Sequence, residues 1–244
     1  MRRTILTTVS LTVLAAALSG VSGTAQAADL GVYTKAPAPV VDTWSPWMIR
    51  VRALAVLPDS NGSSVNVIGA PALSSPNSSL SFSDQVVPEL DISYFFSKNL
   101  AAELILGVTR HSITGTGAID GLAIGKTTLL PPTLMIQYHF TDFGAFKPYI
   151  GVGVNYTTAF NTKAANAGGA ISTTGLGIGD SFGAAAQIGF DYMIDRHWGF
   201  NVDAKRLWVR PEYSAMLNGP GGIPVVGTAH IDPWLVGVGI TYRF

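Results

Sequence analysis

From Trp47 to the end of the chain, large apolar side chains recur at every second position in eight stretches. The last shows the pattern most clearly. Trp234, Val236, Val238, Ile240, Tyr242 and Phe244 share one face, and Pro233, Leu235, Gly237, Gly239, Thr241 and Arg243 share the other. A period of two separates side chains in this way only on a β-strand. One face is large and apolar throughout, and the other is mostly small or polar. A soluble sandwich strand can alternate, but it rarely ends the chain on an aromatic with its whole outer face apolar. A strand that meets lipid outside and a narrow lumen inside needs this arrangement.

The stretches are 47–57, 86–96, 100–110, 128–140, 147–160, 180–193, 198–210 and 231–244. The segments between them alternate long and short. The long ones, 58–83, 111–126, 161–179 and 211–229, are rich in Gly, Ser, Thr, Asn and Ala and read as loops. The short ones read as turns. This predicts an all-β fold: an eight-stranded antiparallel transmembrane β-barrel of the outer-membrane type. It is an up-and-down meander with short periplasmic turns and four long external loops. The sheet must close, because an unpaired strand in lipid leaves its backbone polar groups unsatisfied. Outward aromatics fall into two girdles, with Trp47, Tyr94, Tyr138, Tyr192, Trp198 and Tyr242 among those on the periplasmic side. Tyr156, Phe160, Phe182, Trp208 and Trp234 form the external rim. Arg206 breaks the outward rule, and is expected either to reach headgroup phosphates or to sit at a bulge. Pro88 removes a ladder donor and predicts a bulge or weak pairing in the second strand.

Composition supports membrane residence without helices. Charged residues make up 12% of the chain, about half the usual soluble share, while hydrophobic residues reach 48%. Beyond the N-terminus there is no apolar run of the roughly 20 residues a membrane helix needs. Residues 1–27 read as a signal peptide, with Arg2 and Arg3, an apolar core over 5–18, and Ala25 and Ala27 placed for cleavage before Ala28. Residues 28–45 read as a periplasmic lead-in and 46–244 as the barrel. Losing the two leader arginines leaves 15 − 2 = 13 basic residues against 15 acidic ones, a net of −2. No nucleic-acid binding is expected, and the outer membrane of a Gram-negative bacterium is the expected location. The absence of cysteine excludes disulfides and thiolate metal sites.

The inward faces differ with height. The periplasmic half carries Arg50, Arg52, Asp91, Glu103, Gln137, His139, Asp191, Asn201, Asp203 and Arg243. Opposite charges in so narrow a bore should pair and form a polar plug that blocks a water channel. The outer half carries Leu54, Val56, Ile105, Pro131, Met135, Leu207, Val209 and Leu235, an apolar cup beneath the external loops. Either these side chains merely fill a small barrel, or the cup admits small hydrophobic solutes that leave sideways into the bilayer. Pro131 and Pro132 cannot donate to the ladder, so with Pro88 they mark a candidate lateral seam.

Other classes fit less well. Catalysis would need a nucleophile with a carboxylate-held His near the external rim. His111, His230 and Asp232 lie there, but no G-x-S-x-G occurs, and no enzyme activity is expected. No cofactor is implied and no cluster has metal-ligand spacing. His139 reads as a plug member. A polar-solute porin needs about 16 strands. A structural, adhesive or receptor barrel with an inert lumen remains the rival reading.

Four stretches carry a family resemblance: LLPPTLMIQYHF (129–140), KPYIGVGVNYT (147–157), DSFGAAAQIGFDYMIDRHWGFNVDAK (180–205) and IDPWLVGVGITYRF (231–244). The chain resembles the OmpW family of outer-membrane proteins across its mature length. The resemblance implies an eight-stranded barrel with a hydrophobic lumen, linked to passage of small hydrophobic molecules. The implied partners are outer-membrane lipid and lipopolysaccharide, the barrel assembly machinery, which would recognise terminal Phe244, and small hydrophobic solutes. Lys205 departs from the pattern, since a bulky apolar or aromatic group is expected at its inward position.

Overall fold

A computed structural model describes residues 45–59, 62–165, 172–218 and 221–244. The expected leader at 1–27 and the lead-in at 28–45 lie outside the described residues, apart from Ser45. In chain order the strands are β1 (Trp47–Leu57), β2 (Asn66–Val67), β3 (Ser78–Phe82), β4 (Gln85–Phe95), β5 (Leu100–Gly107), β6 (Thr109–Gly117), β7 (Ala123–Leu130) and β8 (Thr133–His139). They continue with β9 (Phe146–Ala164), β10 (Thr173–Ile178), β11 (Ser181–Met193), β12 (Trp198–Leu207), β13 (Glu212–Leu217), β14 (Ile223–Thr228) and β15 (Trp234–Arg243). Among the described residues the one helical element is a 3-10 turn, Pro71–Leu73.

The barrel is the ring β1, β4, β5, β8, β9, β11, β12 and β15, each antiparallel to the next. It closes where β15 returns to β1, with Met48 opposite Arg243 and Leu57 opposite Trp234. This is the predicted eight-stranded barrel. Along β1 burial alternates without interruption: Met48, Arg50, Arg52, Leu54 and Val56 are sealed inside, while Val51 and Leu57 stand exposed to lipid. Edge-on contacts tie the periplasmic aromatics together, as in Trp47 with Tyr94 at 4.9 Å and Trp198 with Tyr242 at 4.7 Å between ring centres. In the turn before β12, Asp195 accepts the N–H groups of Trp198 and His197, both at 2.7 Å, which holds its carboxyl below the usual carboxylate range.

One expectation is corrected and two are narrowed. The long external segments carry strands and are not loops alone. β3 joins β6 and β7 on the upper part of β9, and β10, β13, β14 and β2 form a second small sheet. Val67, Leu80, Ile124, Tyr213 and Val225 on these strands, with Val65 just before β2, belong to the same apolar core as Leu54 and Leu207 in the lumen. The extensions therefore roof the cup. Their Gly and Thr content weakened the alternation that would have revealed them. Second, of the two outcomes expected at Pro88 the structure has weak pairing and no bulge: the register toward β1 runs evenly through Ala53 opposite Pro88, while the ladder to β5 stops at Glu89. Third, Arg206 sits at no bulge either, since its pairing with Ala186 and Trp234 is regular. Its guanidinium pairs with Asp59 at 3.2 Å and lies 5.3 Å from the Trp234 ring centre.

Val238 lies midway along β15, between Ala53 and Val202, with its side chain facing lipid. Val238→Arg is expected to destabilise the barrel by about 2–4 kcal/mol, and Tyr242→Arg at the rim by about 0–1 kcal/mol. Equilibrium denaturant unfolding in lipid vesicles measures both.

Candidate functional site: a sealed ionic floor beneath an apolar cup

β1 places two arginines on the same inward face, two residues apart, and each meets carboxylates from distant strands. Arg50 makes a two-point contact with Asp191, Nε to Oδ1 at 3.0 Å and Nη2 to Oδ2 at 2.6 Å. It also binds Glu103, and its guanidinium carbon lies 4.8 Å from the centre of the Tyr149 ring. Arg52 donates to Asp203 at 2.6 Å and to Asn201 at 2.8 Å. It also makes ion pairs with Glu89 at 2.9 Å and Asp91 at 2.5 Å. Those two contacts are ionic without hydrogen-bond alignment, and both Asp91 oxygens accept no hydrogen bond. Gln137 and Gln187 tie the halves together: Gln137 donates to Glu103 at 2.5 Å, and Gln187 donates to Asp203 at 2.7 Å. His139 bonds to Gln137 at 3.0 Å and its ring lies between those of Phe95 and Tyr149.

Glycines make room for this network. A Cβ at Gly189 would come within 2.6 Å of Asp203 Cβ and of the Tyr149 hydroxyl, and one at Gly237 within 2.7 Å of Asp203 Oδ1. Arg50, Arg52, Asp91, Glu103, Gln137, His139, Asp191, Asn201 and Asp203 thus form one buried network. Arg243 does not join it. Its guanidinium lies over the Phe95 ring at 4.7 Å on the periplasmic rim, because its strand position is below the ionic layer.

Lys205 is the addition that the inward pattern did not resolve. Its ammonium donates to Glu89 at 2.6 Å and reaches Asp203 at 3.2 Å, so an ion pair caps the network where an apolar group was expected. The signal was present in the sequence, since Glu89 and Lys205 both alternate inward. The network holds three cations, Arg50, Arg52 and Lys205, against five carboxylates, Glu89, Asp91, Glu103, Asp191 and Asp203. A sealed site penalises that excess of negative charge.

Above Lys205 and Glu89 the lumen turns apolar. Leu54, Val56, Val87, Ile105, Pro131, Leu207, Val209 and Leu235 line a narrow cavity of about 40 Å³, and Leu129 and Ile231 also line it. Met135 is not on its wall. It pairs with Glu103 and is fully buried at the level of the ionic network, because the ladder sets it lower than its apolar character suggested. At the upper edge His111 donates Nδ1–H to the Ser83 carbonyl at 2.7 Å, which leaves Nε2 to accept from Thr109 at 3.0 Å. Asp232 is committed to the Val209 N–H at 2.8 Å and to Arg210 at 2.9 Å, not to His230. Among the described residues no cluster of His, Asp and Glu could hold a metal ion.

The wall beside this cavity is incompletely laddered. β4 and β5 pair from Phe95 opposite Ala101 up to Glu89 opposite Gly107, after which residues 85–88 pair with β1 alone. β5 and β8 pair only up to Ile105 opposite Thr133, and pairing resumes between β6 and β7 at Thr109 opposite Leu129. The gap spans 106–108 and 130–132, where Pro131 and Pro132 interrupt what was predicted as one continuous strand. On its far side the proline pair stays attached, since Tyr156 donates to the Pro132 carbonyl at 3.1 Å. The other gap, beside 85–88, ends above where Ser83 donates to the Ser112 carbonyl at 3.1 Å. Pro88 thus borders one gap and Pro131 the other, on either side of the strand that carries 106–108, and Val87, Gly107 and Pro131 also line the cavity.

Comparison with known proteins places these features in context. A family model described as the OmpW family matches residues 46–244. The chain is 50% identical over 222 residues to an uncharacterized outer-membrane protein, y4mB, of Sinorhizobium fredii, covering 90% of each. It is 28% identical over 210 residues to the dibenzothiophene metabolism operon protein PahQ of Pseudomonas aeruginosa, covering 83% of this chain and 92% of that one. The crystal structure of the outer membrane protein OprG from Pseudomonas aeruginosa is similar with a TM-score of 0.71 at 28% identity, covering 82% of this chain and 97% of that one.

Arg52→Met leaves Glu89, Asp91 and Asp203 short of a cation and is expected to destabilise the protein by about 3–5 kcal/mol. Asp91→Asn removes one surplus carboxylate and is expected to be neutral or stabilising. Urea midpoints of the two variants in one detergent distinguish a charge-balanced network from one that only fills space.

Proposed function

The chain belongs to the OmpW family of outer-membrane proteins, and from that premise we propose that it takes up small apolar solutes through an apolar external lumen and releases them sideways into the bilayer. The observation that carries this reading is the change of lining with height. A sealed ionic floor closes the bore to water and to a straight exit, while everything above Lys205 and Glu89 is mostly apolar. A solute that enters from outside meets a surface that favours it by about 25 cal/mol per Å² of apolar area buried. It cannot pass the floor without breaking buried ion pairs.

The two ladder gaps on either side of the strand that carries 106–108 support the exit. Residues 85–88 lack ladder partners on the β6 side and residues 106–108 lack them on the side of 130–132, so parting the wall at either gap breaks few hydrogen bonds. Prolines at positions 88, 131 and 132 keep it so, since none can donate. The cavity of about 40 Å³ is smaller than the roughly 150 Å³ that takes up benzene in an engineered apolar core, so entry requires Leu54, Leu207 and their neighbours to move aside. A relative named for a dibenzothiophene metabolism operon agrees with a flat apolar solute. The lumen performs no chemistry in this reading, lipid and lipopolysaccharide surround the barrel, and terminal Phe244 serves as the assembly signal.

Uptake is tested with refolded protein in vesicles containing lipopolysaccharide, with dibenzothiophene followed beside a sugar of similar size. Dibenzothiophene entry above protein-free vesicles, without sugar entry, is the expected result. Leu54→Asp with Leu207→Asp puts charge on the cavity wall and should lower uptake about tenfold. Pro131→Ala with Pro132→Ala restores two ladder donors and should slow release about threefold without weakening binding. Sugar entry alone would overturn the reading in favour of a polar pore, and no entry of either solute would favour an inert barrel.

A further inference from the structure

Just at and above the external aromatic rim, three adjacent strands carry outward-facing cations. Arg110 on β6 is opposite Thr128 on β7, which is opposite Phe160 of the rim on β9. One outward step higher, Ser112 is opposite Lys126, and Lys126 is opposite Lys163. All three cationic side chains are exposed.

Lys163 reaches this face only because β9 is bulged. From Thr128 to Lys126 the ladder advances two residues on β7, but from Phe160 to Lys163 it advances three on β9. Asn161, in between, adopts a left-handed φ of 51°. On a regular strand Phe160 and Lys163 would point to opposite faces, which would turn Lys163 inward. The extra residue turns it outward beside Lys126 and leaves Thr162 to meet the Thr127 hydroxyl at 3.0 Å.

The result is two lysines directly opposite each other, a pairing that destabilises a sheet unless something offsets it. Among the described residues nothing does. Among the described residues, none of Arg110, Lys126 and Lys163 has a carboxylate within ion-pair distance. Of the carboxylates on the same flank, Asp180 accepts the Tyr156 hydroxyl at 2.6 Å, and Asp84 and Asp120 are exposed without an ion pair. Two residues along a tilted strand raise a side chain by about 5 Å. The cations therefore span the level of the aromatic rim and the layer just above it, where the headgroups of the outer leaflet lie.

We propose that this face binds the phosphate groups of lipopolysaccharide, with Lys126 and Lys163 sharing one phosphate and Arg110 reaching another from the level of the rim. A phosphate between the lysines converts their repulsion into two charge-assisted hydrogen bonds. Arg110 adds a planar fork suited to a second oxygen pair. The site lies outside the lumen, so it stands or falls separately from solute uptake.

The test titrates purified protein in detergent with lipopolysaccharide, with the same lipid stripped of phosphate by hydrofluoric acid, and with inorganic phosphate, and reads the dissociation constant. Lys126→Gln with Lys163→Gln should bind intact lipopolysaccharide about tenfold more weakly than wild type. Lys126→Arg with Lys163→Arg should retain binding, which separates loss of charge from loss of structure. Wild type should bind the phosphate-stripped lipid no better than the Gln variant does. Equal binding of intact lipopolysaccharide by wild type and the Gln variant would overturn the proposal, as would undiminished binding of the stripped lipid. Inorganic phosphate bound as tightly as the lipid would mean a free-phosphate site and overturn the lipid assignment.

Discussion

The ladder that joins β15 back to β1 is the constraint on which the rest of this structure depends. Lipid offers no partner to a strand edge, so every transmembrane strand must find two neighbours and the sheet must close. With eight strands the enclosed bore is one that side chains nearly fill. Each inward residue then competes with those across the lumen for the same volume. Gly189 and Gly237 lie where Asp203 and Tyr149 leave no room for a Cβ. The inward glycines of β9, β11 and β15 are therefore the complement of the large charged groups on β1, β4 and β12 and of Tyr149 on β9 itself.

Closure also explains why the charges are arranged as they are. An arginine on the outer face would meet hydrocarbon, so Arg50 and Arg52 point inward, and once inward they have almost no water. Their carboxylates arrive from strands on both sides: Glu89, Asp91 and Glu103 from one direction around the ring, and Asp191 and Asp203 from the other. The network is consequently a cross-brace of the barrel as well as its floor. Read upward, β1 alone records the layering, with Met48 below, Arg50 and Arg52 in the braced layer, and Leu54 and Val56 in the cup. Above it the extended strands β3, β6, β7, β10, β13 and β14 continue the same apolar core, so the cup is roofed instead of open to a fringe of loops. The remaining weak place is the side wall, where prolines on β4 and after β7 flank the end of β5.

The strands, their faces and the barrel were legible because each rests on a local property. Period-two alternation needs only neighbouring residues, and the apolar outer face of β15 or β1 states it within a dozen positions. The alternating lengths of the connections then order the strands around the ring. The external strands were less legible: in β6 and β10, Thr and Gly dilute the alternation, and their apolar partners lie on segments far away in the chain. Arg206 broke the outward rule on sequence grounds alone, and only the position of Asp59, on a different connection, shows what it pairs with.

By itself, then, the sequence determined that the chain alternates as eight membrane strands, which face of each meets lipid, and that the lumen is charged below and apolar above. Tertiary structure alone decided which charges meet, as with Arg52 and Asp203, 151 positions apart. It also decided that Lys205 caps the ionic floor, that Met135 falls below the cup, that Arg243 stays on the rim, and that a bulge at Asn161 turns Lys163 outward. These outcomes share one physical cause. Whether two inward residues touch depends on their relative height in the barrel, and height is set by register, stagger and bulges summed over many ladders. Alternation tells a side chain which way to point, whereas only the closed sheet tells it what it will find there.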